Sequence, residues 1–177
     1  MIVGTRPRNV LTLREVLEAA TRGGYAVGAF AARLTPMIRP ILRAAQACES
    51  PAIVQISEKE FERYGSTPGE VAAEFFAALA GEGITVPVVL HLDHTRERGL
   101  IEEAIAACFT SVMIDASEKP FAENAAISRE IAEYAHARGV SVEAELGRIG
   151  TTDFVETEHN EELYTDPEEA GQAEAVS

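Results

Sequence analysis

Three short apolar runs in this chain end in side chains able to hold a metal ion or move a proton. Val88-Val89-Leu90-His91-Leu92-Asp93-His94 delivers an acid and an imidazole together. Ser111-Val112-Met113-Ile114-Asp115-Ala116-Ser117 and Ser141-Val142-Glu143-Ala144-Glu145-Leu146-Gly147 each follow a helical segment and also close on an acid. A buried acid is costly unless it is paired or bound to a metal, so packing alone does not ask for Asp93 beside His94. One such run is explained by a strand that ends in a solvated loop. Three in succession are a pattern. If the strands are parallel neighbours, Asp93, His94, Asp115 and Glu145 converge on one rim. One imidazole and several carboxylates there suit a borderline divalent ion such as zinc.

The elements that must position these residues alternate along the chain. Leu13 to Arg22 has helical spacing, and Thr12 with Glu15 makes a capping box ahead of it. Strands are expected at Tyr25 to Phe30, Ala52 to Ile56, Val86 to Leu92, Ser111 to Ile114 and Val140 to Ala144. Helices are expected around Pro40 to Cys48, from Thr67-Pro68 to Gly81, over Arg96 to Ala107, and over Phe121 to Arg138 with Gly139 closing it. Asp166-Pro167-Glu168-Glu169 looks like a further helix start. Strict βα alternation implies a parallel sheet with helices outside it. Periodicity alone permits either a doubly wound sheet or a barrel. Alternation within a strand places His94 on the opposite face from Asp93, so the strand must end or twist there for both to serve one site.

The chain has 177 residues, enough for one domain with a real core, and 46% apolar content is ordinary for a globular protein. No apolar run is long enough to span a bilayer, and the basic start, Met1 to Asn9, lacks the apolar stretch of a secretory signal. A cytoplasmic location is expected. Cys48 and Cys108 lie in helical patterns without a CxxC spacing and are expected to be reduced, buried thiols. The net charge is −14, and nine of those surplus negative charges lie after Arg148, where no Lys or Arg occurs. This disfavours nucleic acid and anionic membranes as partners. It does not disfavour a phosphorylated substrate, because backbone N–H groups and helix N-termini often hold phosphate.

The motifs His91–His94, Ser111–Ser117 and Val142–Gly147, in this order and spacing, resemble those of the class II, zinc-dependent ketose-bisphosphate aldolases. Fructose-bisphosphate and tagatose-bisphosphate aldolases are the best-known members. The resemblance runs from near Leu11 to about Ala170. It implies a TIM (β/α)8 barrel, of which this sequence covers about five βα units as a single domain, 1–177. A closed barrel needs eight units and typically about 250 residues. The family's two further zinc-binding histidines and its phosphate-binding backbone have no counterpart here, and the chain is read as the N-terminal part of such a barrel.

The implied reaction is reversible aldol cleavage of a ketose (bis)phosphate, fructose-1,6-bisphosphate-like, to dihydroxyacetone phosphate and an aldehyde. It needs an electrophile at the C2 carbonyl and a base at the C4 hydroxyl. Zinc can be that electrophile. A Schiff-base route has poor candidates, since Lys59 and Lys119 are the two lysines and both fall just after strand ends. By resemblance, Asp93 is the general acid/base and His94 a zinc ligand. Asp115 and Glu145 match carboxylates at an alternative metal position, or orient His94 from behind. A second divalent or a monovalent cation is compatible with this set. Ser57 matches a serine near the substrate. The acidic loop 148–165 matches a mobile active-site loop of Gly-Gly-x-Glu type; here Gly150-Thr151-Thr152-Asp153 puts Asp153 at the acid position, one methylene shorter, with Glu156 as a stand-in. His91 is read as packing or support, and Glu143 as structural. His136 and His159 are read as solvated. Phe30-Ala31 stands where the family often has Phe-Asn, which points to a non-standard substrate.

The resemblance further implies a homodimer or homotetramer. A non-catalytic or truncated aldolase-like scaffold or regulatory subunit is the competing reading. Ala31, Asp153 and the missing histidines favour it, and the retained Asp93, His94, Asp115 and Glu145 oppose it.

Overall fold

Runs of β-branched and leucine residues form the strands, and capped amphipathic segments return the chain between them. The computed structural model describes residues 6–147 and 165–174. Helix α1 (Leu13–Gly23) starts at Thr12, whose hydroxyl accepts from the Glu15 N–H while the Glu15 carboxylate accepts from the Thr12 N–H. Gly24 ends it in the left-handed region at φ 66°, where a Cβ would be strained. Strand β1 (Gly28–Ala31) follows, then a 3-10 turn (Thr35–Met37) leading into α2 (Ile38–Ala47). Next come β2 (Ala52–Ser57), α3 (Glu58–Tyr64), α4 (Pro68–Glu82), β3 (Val88–Thr95) and α5 (Arg98–Ala106). The described residues finish with β4 (Ser111–Ile114), α6 (Phe121–His136), β5 (Ser141–Ala144) and α7 (Pro167–Glu174).

All five expected strands are present, with ends shifted by up to three residues. Helix α3 was not expected. It is a charged segment with one buried residue, Phe61, and its start rests on Ser57 and Glu60 rather than on an apolar stripe. Both cysteines are free, as expected, but exposed rather than buried. Each follows the last turn of its helix, and Cys108 sits at φ 73° in the chain reversal after α5.

The strands form one parallel sheet in sequential order, β1-β2-β3-β4-β5. A doubly wound sheet reverses its strand order part-way, so this order decides for a β/α barrel, of which these are five consecutive units. Alternation splits the sheet's side chains between two environments. One face, with Val54, Ile56, Leu90, Leu92, Val112 and Ile114, packs against Leu42, Phe75, Ile101 and Ile131 of the outer helices. On the other face, Ile53 and Val89 pack with Leu13 and Val16, so α1 lies across the inner side of the sheet. There the Leu13 N–H donates to the Ser141 hydroxyl at 3.1 Å. Above this plug the inner face turns polar, with Gln55, His91 and Ser111 in register across β2, β3 and β4. Among the described residues, no helix is long and apolar enough to cross a membrane.

Candidate active site and metal centre

The site is built at the C-terminal ends of β3, β4 and β5, the end of a parallel barrel where chemistry is usually placed. Its key local feature is a bulge in β3. Leu92 pairs with Val112 and Thr95 with Ile114, so three steps along β3 match two along β4. Thr95, fully buried, thereby takes an outward place beside Ile114, and both Asp93 and His94 are left on the inner side. His94 pays for this with a left-handed backbone, φ 36°. That extra residue is the break in strand regularity that the sequence requires if Asp93 and His94 are to serve one site.

His94 Nδ1 lies 3.3 Å from Asp115 Oδ2 and 3.4 Å from Glu145 Oε2. The three donor atoms all fall within 4.8 Å of one another. Metal bonds of about 2.0–2.1 Å put the donors of a tetrahedral site about 3.3–3.4 Å apart, so both distances from His94 match the edge of such a site. One imidazole and two carboxylates form a chemically suitable set for zinc or a similar divalent ion. The supports behind them are also in place. Asp115 Oδ1 accepts from the Ser117 hydroxyl at 2.7 Å and its N–H at 3.2 Å, holding Asp115 below the ordinary aspartate range against the opposing pull of burial. Buried Asn124, from α6, donates to the Glu145 carbonyl at 2.8 Å and so fixes the backbone that carries this acid.

Asp93 stands beside the trio. Its Oδ2 accepts from Gln55 Nε2 at 2.9 Å. Desolvation raises its pKa, with Glu60 adding to the effect and the charge and N–H of His94 opposing it. Ser57, paired in register with Asp93, has its N–H and hydroxyl on the Glu60 carboxylate at 2.8 and 2.7 Å. Deeper in, His91 is 2% exposed, with Nδ1 at 2.8 Å from the Ser111 hydroxyl and Nε2 facing Glu143 Oε2 at 3.4 Å. Burial, and secondarily the charge of His94, pushes its pKa down to about 4, so it is neutral at pH 7. Burial and the charges of Asp93 and Glu145 raise Glu143, while His94 lowers it. An open cavity of about 730 Å³ adjoins this rim, lined in part by Leu13, Ile53, Glu143 and Glu145.

The structure thus brings together Asp93, His94, Asp115 and Glu145, with Ser57 at the neighbouring strand end. Asp153 and Glu156 lie outside the described residues, as does 148–164 of the acidic loop. His136 is exposed, as expected. Sequence reasoning missed Gln55, Glu60 and Asn124. Gln55 interrupts the apolar run of β2 at the inner-face parity shared by Ile53, and that interruption was the available signal.

The family model described as fructose-bisphosphate aldolase class-II matches residues 11–176. A fructose-bisphosphate aldolase of Geobacillus stearothermophilus is 44% identical over 162 residues, covering 91% of this chain and 55% of that protein. One from Staphylococcus epidermidis is 41% identical over 160 residues, covering 90% and 55%. The crystal structure of the YdjI aldolase from Escherichia coli K12 superposes with a TM-score of 0.78 at 29% identity, covering 94% of this chain and 61% of that one. The fructose-bisphosphate aldolase of Campylobacter jejuni gives 0.73 at 28% identity, covering 96% and 56%. The chain spans little more than half the length of the curated relatives it matches.

Proposed function

The chain belongs to the class-II fructose-bisphosphate aldolase family, and on that premise we propose that it serves reversible, zinc-dependent aldol cleavage of a phosphorylated ketose. The substrate is fructose-1,6-bisphosphate-like and the products are dihydroxyacetone phosphate and an aldehyde. The observation that carries this reading is the His94–Asp115–Glu145 trio with Asp93 beside it.

His94, Asp115 and Glu145 would hold the ion. A divalent ion so placed supplies a Lewis acid for a ketone carbonyl and for the negative charge that develops on its oxygen. The remaining work falls to the protein's own side chains. Asp93 takes the proton of the C4 hydroxyl as the carbon–carbon bond breaks and returns it in the reverse direction. Its raised pKa suits a group that must both accept and give a proton. Gln55 aims the carboxylate by donating to Oδ2. Ser57 lies at the adjacent strand end and is assigned to substrate contact. Asp153 is assigned the proton at the carbon released by cleavage. A second divalent or a monovalent cation is compatible with the acid-rich rim. A cytoplasmic homodimer or homotetramer completes the proposal.

A second reading, an aldolase-like scaffold or regulatory subunit without catalysis, is favoured by Ala31. This residue pairs in register with Gln55 on the inner face and brings no amide there. Zinc content after reconstitution, measured alongside retro-aldol release of triose phosphate, separates the two. Stoichiometric zinc with triose release is expected. Zinc without turnover on any ketose phosphate selects the scaffold, and absence of metal binding defeats the enzyme reading.

A further inference from the structure

Helices α4, α5 and α6 end alike at the bottom of the sheet, the end opposite the rim that carries His94. The Ile84 N–H donates to the Leu79 carbonyl at 3.1 Å, Phe109 to Ala104 at 3.0 Å and Val140 to Ala135 at 3.1 Å. The residue before each donor is left-handed: Gly83 at φ 63°, Cys108 at 73° and Gly139 at 69°. This ending answers a helix-end carbonyl and folds the next apolar residue back, so Ile84, Phe109 and Val140 all join the core.

An open cavity of about 520 Å³ lies between these helix ends. Phe76, Leu79, Phe109 and Val140 make its walls largely apolar. Thr110 breaks that pattern. It directly precedes β4 and shares the parity of Val112, which packs on the helix side of the sheet. Thr110 is 3% exposed, it lines the cavity, and its hydroxyl oxygen has no hydrogen-bond partner among the described residues. A buried hydroxyl left unmet is uncommon, and here it borders space that a ligand can fill.

The charge of the lining is the second departure. Arg6 and Arg138 line the cavity and are exposed, and among the described residues no Asp or Glu lines it, in a chain of net charge −14. Both arginines are positioned. Asn9 ties down the segment that carries Arg6 by donating to the Ile84 and Val86 carbonyls at 3.0 and 3.2 Å. Arg138 donates to the Tyr134 carbonyl at 2.8 Å, and its guanidinium carbon lies 3.6 Å from the centre of the Tyr134 ring. The carboxylate near Arg6 is Glu15, at 3.8 Å, which leaves the guanidinium free to take another anion. Apolar walls with a few convergent polar groups are the usual make-up of a small-molecule site.

We propose that this cavity binds a small carboxylate bearing an apolar chain or ring. The apolar part lies against Phe76, Leu79, Phe109 and Val140, and the carboxylate accepts from Arg6, Arg138 and the Thr110 hydroxyl. None of these residues belongs to the His94–Asp115–Glu145 group, so the site stands whether or not a metal binds at the rim.

The chain carries its own reporter. Cys108 lines the cavity and Cys48 does not, and both thiols are free and exposed. The full chain is alkylated with iodoacetamide, and the rate at each cysteine is followed by peptide mass spectrometry. Octanoate and 3-phenylpropanoate are the probes, and octyltrimethylammonium is the control with the same chain and opposite charge. Either carboxylate is expected to slow alkylation of Cys108 at least about fivefold and to leave Cys48 unchanged, and the ammonium should protect neither. Protection of neither cysteine, equal protection of both, or equal protection by the ammonium would overturn the site. These comparisons use the parent chain alone, so they do not depend on any variant folding. Thr110→Val keeps the shape and removes the hydroxyl, and Arg138→Gln removes a charge; each should weaken octanoate about tenfold, as expected for a lost bond to a charged group. Unchanged affinity in both variants would overturn the assignment of these donors.

Discussion

His94 Nδ1 stands 3.3 Å from Asp115 Oδ2, and it does so because β3 has one residue more than β4 between their two paired positions. A regular strand would turn that imidazole outward into the apolar layer of Leu92 and Ile114. The bulge costs His94 a left-handed φ, and the acids that receive its ring are Asp115 and Glu145. Strain of this kind is retained where surrounding contacts over-determine it.

Removing a donor from the trio should therefore act on metal binding before it acts on folding. Asp115→Asn keeps the shape and the contacts with Ser117 but loses a negative charge. Zinc affinity is expected to fall by at least about tenfold to a hundredfold, the range found when even supporting groups are lost. Competition against a chelator with known zinc affinity measures it, and circular dichroism should stay unchanged. Equal affinity in the two proteins would remove Asp115 from the site.

Asp93 gives a prediction with two opposite signs. Its pKa in the folded chain is raised, chiefly by desolvation. Between the unfolded value, near 3.9, and the raised one, the folded state binds more protons than the unfolded state, so stability falls as pH climbs through that window. At pH 7 the ionised carboxylate is a net cost. Asp93→Asn should raise the thermal midpoint at pH 7, with the gain shrinking as the pH is brought down into the carboxylate range. The same change should abolish triose release. Melting curves of both proteins at pH 7 and pH 4 test the first half. A lower midpoint for the variant at pH 7 would show that hydrogen bonds to Asp93 outweigh its burial.

How far these features could be read beforehand depends on where their causes lie. The strands carrying Asp93, Asp115 and Glu145 were legible because each is a local apolar run with an acid at its end. The capping box of Thr12 and Glu15 was legible because both halves lie within four residues. The form of the irregularity at His94 was not, since a bulge is a mismatch between two strands and neither strand records it alone. Gln55 and Asn124 escaped for the related reason that their partners, Asp93 and the Glu145 carbonyl, are far away in sequence. Helix α3 has too little apolar surface to announce itself, with Phe61 alone buried.

His91 should make the chain sensitive to mild acid. Its folded pKa of about 4 lies below the unfolded value, near 6.5. Between them the unfolded chain binds the extra proton, so stability rises with pH through this window and is lost as the pH falls toward 4. For a ring this buried the full effect is of order 3 kcal/mol. Urea midpoints measured from pH 7 down to 4.5 should fall more steeply for the parent than for His91→Gln, which has no proton to gain. Parallel slopes would mean that the ring is charged, or open to water, in the folded state. Asp93 and Glu143 both have raised values and push the other way, and both are present in each protein.

The plug formed by α1 links the start of the chain to the floor beneath the site. Leu13 and Val16 meet Ile53 and Val89, one turn of strand below Gln55 and His91, and the Leu13 N–H rests on Ser141 of β5. Thr12 sets where that helix begins, through its hydroxyl on the Glu15 N–H and its own N–H on the Glu15 carboxylate. Thr12→Ala removes the first of these and should cost about 1 kcal/mol, while Thr12→Ser, which keeps the oxygen, should cost little. The denaturant slope separates two ways of losing that energy. If the cap only stabilises α1 within one cooperative unit, the midpoint falls and the slope stays the same. If α1 can leave the inner face by itself, the slope falls as well, because less surface remains to be exposed in the main transition. The second outcome would make α1 a separable plug, and zinc affinity at the rim above should then be insensitive to Thr12→Ala.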